Sequence, residues 1–426
     1  MLGDIVDFSN EIWNQKDTFI EKFPYIEISA IDVSTGDIIE VNYIPIDEAP
    51  SRARKIVKKD DIILSTTRPQ RGAISLIDKS KEGFIASTGF AIIRHIKISE
   101  INLRYLFYIL RTEYSLQQML QRTSGGNYPA ISEDELKKIK IPLPPLSVQN
   151  EIVSIMDSAY SSKRAKEAEA RALLDSIDGY VMEKLGIVMP KVENKMCFTV
   201  WSDELDGRRI DAEYYQPEYE NMINAIKKSR YNLYELESLI DKITSGQRPK
   251  GGVRNIKKGI PSIGGEHIKD DGSIAINNLK YISENFHNLH LDSVLSIYDV
   301  LMIKDGATTG KVGILQENHP YKELNINEHV FLLRFGNLLN PFYLFFVLKS
   351  PIGQTQINRF ITGATVTGII KGFVEKLLIP LPLLSVQNEI AAEAQSRMEK
   401  AKRLRSEASG ELETAKQKVE KMILGE

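Results

Sequence analysis

Cysteine is nearly missing from this chain: among 426 residues only Cys197 carries a thiol. A single thiol excludes an internal disulfide framework and a cysteine-based zinc site, and it fits a reducing, cytoplasmic setting. No apolar run approaches the roughly 18 residues of a membrane span. The opening residues, MLGDIVDFSNEIW, lack the basic start and apolar stretch of a secretory leader. Excess charge of either sign is also lacking, since 55 Lys and Arg face 57 Asp and Glu for a formal net charge of −2. A nucleic-acid ligand would have to be met by local basic clusters, because the global balance offers no attraction. What is present, 42% hydrophobic and 26% charged residues, is ordinary globular composition with room for two or three cored domains.

One stretch occurs twice. Ile141–Ile152 reads IPLPPLSVQNEI and Ile379–Ile390 reads IPLPLLSVQNEI, identical at eleven of twelve positions and 238 residues apart. The same offset carries Asp61 onto Asp299, Gly72 onto Gly310, Asn102 onto Asn340, Tyr105 onto Tyr343, Gly125 onto Gly363 and Ile131 onto Ile369. Arg94 and Arg334 match at 240, and Pro24–Ile38 resembles Pro261–Ile274 at 237 drifting to 236. The chain is a tandem duplication.

Each copy reads alike. Short Ile- and Val-rich runs (Ile62–Leu64, Ile74–Ile77 and Phe90–Ile93; Val300–Ile303, Val312–Leu315 and Val330–Arg334) predict strands. One amphipathic helix is expected near Asn102–Leu120, and Ser132-Glu-Asp-Glu135 has capping-box spacing. Strands followed by helices indicate an α+β class rather than alternating βαβ units. After each globular part, prolines 142, 144 and 145 impose an extended approach to a long charged helix, with Ser147 as its expected N-cap. In the second helix Ala394, Met398, Ala401, Leu404, Ala408, Leu412, Ala415, Val419 and Met422 follow threes and fours, a heptad-like seam. In the first, the seam is clear at Ile152, Ile155 and Ala159 and at Leu174, Ile177 and Val181, and weak between. The expected layout is a first globular domain over 1–146, a spacer helix over 147–188, a second domain with its connector over 189–384, and a second helix over 385–426. Two pseudo-two-fold related α/β heads would be separated by an antiparallel coiled coil, whose ~38-residue helices would each be roughly 57 Å long.

Two diverged domains, each closed by IPLPxLSVQNEI and a long helix, resemble the specificity subunit of type I restriction–modification enzymes. The Gly306–Lys311 loop (GATTGK) and Asp211–Tyr219 (DAEYYQPEY) are also similar to that family. The resemblance spans essentially the whole chain. It implies two target recognition domains, each reading one half of a split, asymmetric sequence in double-stranded DNA. It also implies helices that set the spacing and dock methyltransferase subunits, of which two are expected, and restriction or translocase subunits joined through them. The chain itself would be non-catalytic, with S-adenosylmethionine, ATP and magnesium held by the partners. It would be cytoplasmic and nucleoid-associated through DNA. The first head departs from the family loop, carrying Arg68-Pro-Gln-Arg-Gly72 in place of GATTGK.

The candidate DNA contacts are basic, amide or hydroxyl side chains, which neutralise phosphates or pair with base edges. In the first head these are Arg52, Arg54, Lys55, Arg68, Gln70, Arg71, Asn127 and Tyr128. In the second they are Gln247, Arg248, Lys250, Arg254, Lys304, Thr308, Thr309, Lys311 and Thr365. The bland alternative is a solvated charged face, with Gly72 and Gly310 serving hairpins that need positive φ. Gly306–Lys311 is one residue short of a P-loop and ends in Val312 instead of Ser or Thr. Asn340-Pro-Phe-Tyr343 resembles the Asn-Pro-Pro-Tyr of adenine methyltransferases but is better read as a helix start. His287 and His290 have metal-compatible spacing, lack a third ligand, and are read as a surface pair. Trp13, Trp201, Tyr214, Tyr215 and Tyr219 are read as packing residues. Two other classes compete: a methyltransferase or nuclease with its own recognition heads, and a coiled-coil adaptor that binds no DNA.

Overall fold

The computed structural model describes all residues except 15–18, 20, 191–196, 204, 206–208, 255, 318, 425 and 426, and of residue 424 only the backbone. The chain forms two compact units, Met1–Ala168 with Leu404–Glu426, and Glu169–Arg403. Part of the expected connector after residue 189 lies outside the described residues.

The first unit holds two four-stranded sheets. One contains β1 (Val6–Phe8), β5 (Ile62–Ser65), β6 (Ile74–Leu76) and β8 (Phe90–Ile96), in the order β1-β8-β5-β6 and antiparallel throughout. The other contains β2 (Lys22–Ile26), β3 (Asn42–Pro45), β4 (Ala53–Ile56) and β7 (Ile85–Ser87), in the order β3-β2-β7-β4, with β2 and β7 parallel. The second unit repeats the plan. β10 (Lys242–Ser245), β13 (Val300–Ile303), β14 (Val312–Ile314) and β16 (Val330–Arg334) form the sheet β10-β16-β13-β14. β11 (Ile260–Ile263) pairs antiparallel with β12 (Lys280–Ile282) and parallel with β15 (Asn325–Ile326), as β2 does with β3 and β7, while β9 (Leu233–Glu235) pairs antiparallel with β17 (Leu378–Pro380). Even the small loops correspond, since the bridge Ile31–Ile38 recurs as Ile268–Ile274. The all-buried runs of β5 and β13 are the central, continuously apolar strands that the sequence pattern marks.

Repeat-matched charges are partners of one another. Arg94 pairs with Asp61 at 2.8 Å and donates to the Ile56 carbonyl, while Asp61 accepts from the Lys58 amide. Arg334 pairs with Asp299 at 2.5 Å and donates to the Val294 carbonyl, while Asp299 accepts from the Ser296 amide. Both aspartates are buried, and their hydrogen bonds hold each guanidinium above its ordinary pKa against the opposing effect of burial.

The expected helix near Asn102–Leu120 is two helices, Leu103–Leu110 and Glu113–Gln121. Their counterparts are Pro341–Lys349 and Pro351–Phe360, where Pro351 forbids continuation and keeps Ser350 extended. Thr112 takes the same extended conformation without a proline. Asn102 and Asn340 cap the first helix of each pair, each side chain accepting from two backbone amides, so the Asn-Pro sequence is indeed a helix start. Ser132 accepts from the Glu135 amide as its spacing predicts.

The long helices run Leu146–Leu185 and Leu384–Leu424. Ser147 lies inside the first turn rather than capping it, because the Pro145 carbonyl already accepts from the Val148 and Gln149 amides. The two helices pair antiparallel within each unit. In the first unit Ser162 meets Glu411 and Lys166 meets Glu407; in the second Ser176 meets Arg397 and Lys184 meets Glu389. The seam expected of the second helix is buried or half-buried at every position. The weak middle of the first helix is filled by Tyr160, Ala170 and the aliphatic stem of Lys163, whose ammonium reaches Ser34 at 3.0 Å.

The repeated block is a latch between head and helix. Buried Gln149 accepts from the Asn102 amide at 2.8 Å and donates to the Glu100 and Pro144 carbonyls. Gln387 does the same for the Asn340 amide, Leu338 and Pro382, at 2.9, 3.1 and 3.0 Å. Asn150 and Asn388 accept from the side chains of Asn102 and Asn340, and the Tyr105 and Tyr343 hydroxyls donate to the Pro142 and Pro380 carbonyls. Burial pushes both tyrosine hydroxyls well above their ordinary pKa.

Trp13 is buried and Tyr214 packs on Phe360, as packing residues should, but Trp201 is 68% exposed. No helix or strand presents Trp201 to a core.

Candidate nucleic-acid interface

Two loops meet at one end of each head. In the first, residues 66–72 follow β5 and residues 124–130 follow the second short helix. The Ile131 amide donates to the Thr66 carbonyl, and the Arg68 amide to that of Pro129. Ser124 and Ala130 exchange both backbone hydrogen bonds, closing a small hairpin. Every one of these contacts returns 238 residues later. Ile369 donates to Lys304, Gly306 donates to Thr367, and Thr362 pairs with Gly368. Gly125 and Gly363 have φ of 91° and 104°, and a Cβ there would meet the carbonyl oxygen of Tyr128 or Val366 at 3.0 or 2.2 Å. Only glycine lets the hairpin close this tightly.

On this shared frame the side chains differ. Arg68 adopts a left-handed conformation (φ 49°) that its counterpart Gly306 (φ 109°) takes without steric cost. The Arg68 guanidinium lies 4.8 Å from the Tyr128 ring centroid and donates to the Asn127 carbonyl at 3.2 Å. The structure thus joins three sequence candidates, Arg68, Asn127 and Tyr128, with Tyr128 itself 71% exposed. Gln70 and Arg71 occupy the same turn. Arg71 is exposed, whereas the Gln70 carboxamide oxygen is buried with no hydrogen-bond partner among the described residues. Arg52 and Arg54 are exposed on β4 and its approach, outside the paired loops. Lys55 is half-buried and paired with Glu133 at 3.3 Å, so part of its charge is already satisfied.

In the second head Thr309 turns inward. Its hydroxyl oxygen lies 2.7 Å from the Gly306 carbonyl and 3.0 Å from that of Thr367, which makes it a brace for the two loops. Thr308 and Thr365 remain exposed at the loop tips. The Lys304 ammonium sits over the Phe331 ring at 5.8 Å. Lys311 is hydrogen-bonded to Asp270 and holds that carboxyl below its ordinary pKa. Lys250 and Arg254 are exposed. Gln247 and Arg248 line a cavity of about 190 Å³ with Lys280, Asn327, Glu328 and His329, where Arg248 faces Glu328 at 3.7 Å.

His329 and Asp305 escape sequence reasoning. His329 hydrogen-bonds Asp305 through Nδ1, and its carbonyl accepts from Lys304 at the base of the loop pair. Its counterpart at the 240 offset is Gly89, whose carbonyl accepts from Thr66, so only the backbone role is repeated. His287 and His290 are not a surface pair. His287 is buried, with Nδ1 on the Asn325 side chain, while His290 packs against Phe286. Polar satisfaction by Asn325, itself bonded to Ser293, is what permits that burial. Among the described residues no cluster of three or more His, Cys, Asp or Glu is placed to hold a metal ion, and no helix is long and apolar enough to cross a membrane.

Comparison with known proteins agrees with this duplicated plan. Residues 1–172 and 228–413 match the model of the "Type I restriction modification DNA specificity domain". The chain is 23% identical over 378 residues to the type I restriction enzyme MjaVIII specificity subunit of Methanocaldococcus jannaschii, covering 87% of this chain and 79% of that one. A second relative from the same organism, the putative type I restriction enzyme MjaX specificity subunit, is 22% identical over 410 residues, covering 94% and 86%. A solved chain from work on complex assembly and conformational transition of the type I restriction–modification system is similar in fold, with TM-score 0.54 and 22% identity over 99% of this chain and 96% of that one. Both globular copies and the larger part of each long helix fall within the residues that the family model matches, and the chain belongs to the type I restriction–modification DNA specificity family.

Proposed function

We propose that each head reads one half of a split DNA sequence and that the chain directs partner methyltransferase subunits to it. The observation that carries this reading is one backbone platform built twice with different side chains at equal positions: Arg68 against Gly306, Asn127 against Thr365, and Tyr128 against Val366. Identical scaffolds bearing different base-edge and phosphate chemistry suit two different half-sites. Arg68, Arg71, Asn127 and Tyr128 are the leading contacts of the first head, with Arg52, Arg54, Lys55 and Gln70 beside them. Thr308, Thr365, Lys304, Gln247, Arg248, Lys250, Arg254 and Lys311 serve the second, where Thr309 positions the loops. The paired helices set the half-site spacing and present their outer faces to two methyltransferase subunits, through which restriction subunits join. S-adenosylmethionine, ATP and magnesium belong to those partners, and the assembly acts in the cytoplasm on chromosomal and invading DNA. The division of labour we propose places heads over 1–146 and 189–384 and spacer segments over 147–188 and 385–426, each built on its long helix.

The test is modified-base sequencing of a methylation-free host expressing this chain, its methyltransferase partner, or both. Methylation of a split sequence only on co-expression is expected. Methylation by this chain alone would make it an enzyme and overturn the proposal. Inserting residues between Lys166 and Ala172 should then change the spacer while leaving both half-sites intact, and an unchanged spacer refutes the ruler role.

A further inference from the structure

The hairpin that closes each recognition platform carries a largely exposed side chain at its tip. Tyr128 is 71% exposed and Val366 is 66% exposed, and they occupy the same repeat position. Single exposed apolar side chains are unremarkable on a protein surface. A matched pair at the tips of two diverged hairpins is not, since the positions on either side differ (Asn127 against Thr365, Pro129 against Thr367) while the exposed projection is kept.

The backbone beneath each tip is fixed. Its carbonyl sits over the positive-φ glycine three residues earlier, and the hairpin ends are cross-bonded through Ser124–Ala130 and Thr362–Gly368. The second loop is tied to the first by Arg68 to Pro129 and by Gly306 to Thr367. A tip so braced cannot fold away from a ligand. In the first head one face of the Tyr128 ring is occupied by the Arg68 guanidinium, leaving the opposite face and edge outward. A cation at the root and an apolar projection at the tip is the arrangement of side chains that enter a base step while the neighbouring charge holds the phosphate.

We propose that Tyr128 and Val366 are wedges that insert between adjacent base pairs, one in each half-site, and open the step they enter. The ligand class is a deformable base step in duplex DNA. A flat ring supported by a guanidinium offers a stacking surface to the displaced base, whereas Val366 opens the step by bulk alone. Each head thereby favours sequences whose step unstacks easily, which adds selectivity at a position where no hydrogen bond is made.

The inference rests on the bipartite reading above, and one experiment separates the two. The full chain is assembled with its methyltransferase partner on its methylated sequence, with 2-aminopurine placed in turn along each half-site and away from the methylated base. A fluorescence rise is expected at one step in each half. Tyr128→Ser should abolish the rise in the first half alone and weaken binding roughly ten-fold, the scale of one base–aromatic stack. Val366→Ser should abolish it in the second half alone with a smaller loss. Tyr128→Phe and Val366→Ile should preserve both signals, and unchanged melting temperatures would exclude misfolding. A split methylation site with no rise in either half, or a rise that survives the serine variants, overturns the wedges and leaves the bipartite reading standing. Absence of any split site overturns the bipartite reading itself.

Discussion

Replacing Gln387 with leucine tests whether the repeated block is a latch. The side chain is 1% exposed and makes three hydrogen bonds, to the Asn340 amide and to the Leu338 and Pro382 carbonyls. Leucine is similar in size and makes none of them. At about 1 kcal/mol net per bond, the loss is about 3 kcal/mol. Leaving the Pro382 carbonyl and Asn340 amide without partners adds to this, and the better burial of leucine offsets part of it. The expected result is a destabilisation of about 3 kcal/mol by denaturant unfolding. Faster amide exchange over Pro341–Lys349 should accompany it, with little change over Leu103–Leu110. Gln149→Leu should give the mirror result, because its three bonds are the same. Glu at position 387 should be worse than Leu near neutral pH, since a buried carboxylate would face two carbonyls. Burial raises its folded-state pKa above the unfolded value, so the Glu variant should gain stability as pH falls and lose it as pH rises. A Gln387→Leu change smaller than about 0.5 kcal/mol, below the worth of even one such bond, would refute the latch.

Further outcomes follow from other contacts. Burial pushes the Asp37 carboxyl up, but hydrogen bonds from Arg164 and Thr35 bring it below its ordinary pKa. Its contribution is therefore present above the unfolded carboxylate range, about pH 4, and is lost as pH falls through the lower folded value. Asp37→Asn should flatten that acid limb in a pH series of melting temperatures. Arg68→Gly should leave stability within about 1 kcal/mol, because relief of the left-handed arginine offsets the entropy of glycine. It should nevertheless weaken binding of the first half-site, as measured on half-site mutants of the DNA. Lys250→Ala and Arg254→Ala should each lower the slope of log affinity against log salt by about 0.9 if each neutralises one phosphate. An unchanged slope would place that residue off the backbone. Asp299→Ala, which removes a buried carboxylate and leaves the partly exposed Arg334 without its partner, should cost about 1.5–3 kcal/mol in denaturant unfolding.

The strands, the long helices and the seam of the second helix were legible because each rests on local pattern: continuous apolar runs, proline punctuation and three-four spacing. The latch was visible as identity but not as mechanism, since identity marks Gln149 and Asn102 separately and only folding brings them together. The same holds for Asp61 with Arg94, two repeat matches whose pairing the sequence does not state. The break at Thr112 was hidden because no proline marks it, although Pro351 marks its twin. Candidate contacts chosen for residue type divided once folded. Arg68, Asn127 and Tyr128 converge, while Thr309 turns inward to brace its loops and Lys55 and Lys311 face carboxylates. His329 left no signal, because its repeat partner is a glycine and only its carbonyl has a repeated role.

The composition of the first unit has a consequence for how the protein is made. Its core includes Leu412, Ala415 and Val419, and its chain resumes at Leu404 after an interval that belongs wholly to the second unit. At ordinary synthesis rates of about 5–20 residues per second, on the order of 10–50 s separate Ala168 from Leu404 leaving the ribosome. Throughout that time the head made first must wait with Ile152, Met156 and Tyr160 lacking the helix that covers them. The second unit can close earlier, once residue 403 has emerged. The order of completion is thus the reverse of the order of synthesis, and a chain interrupted in its last twenty residues would fail at its beginning.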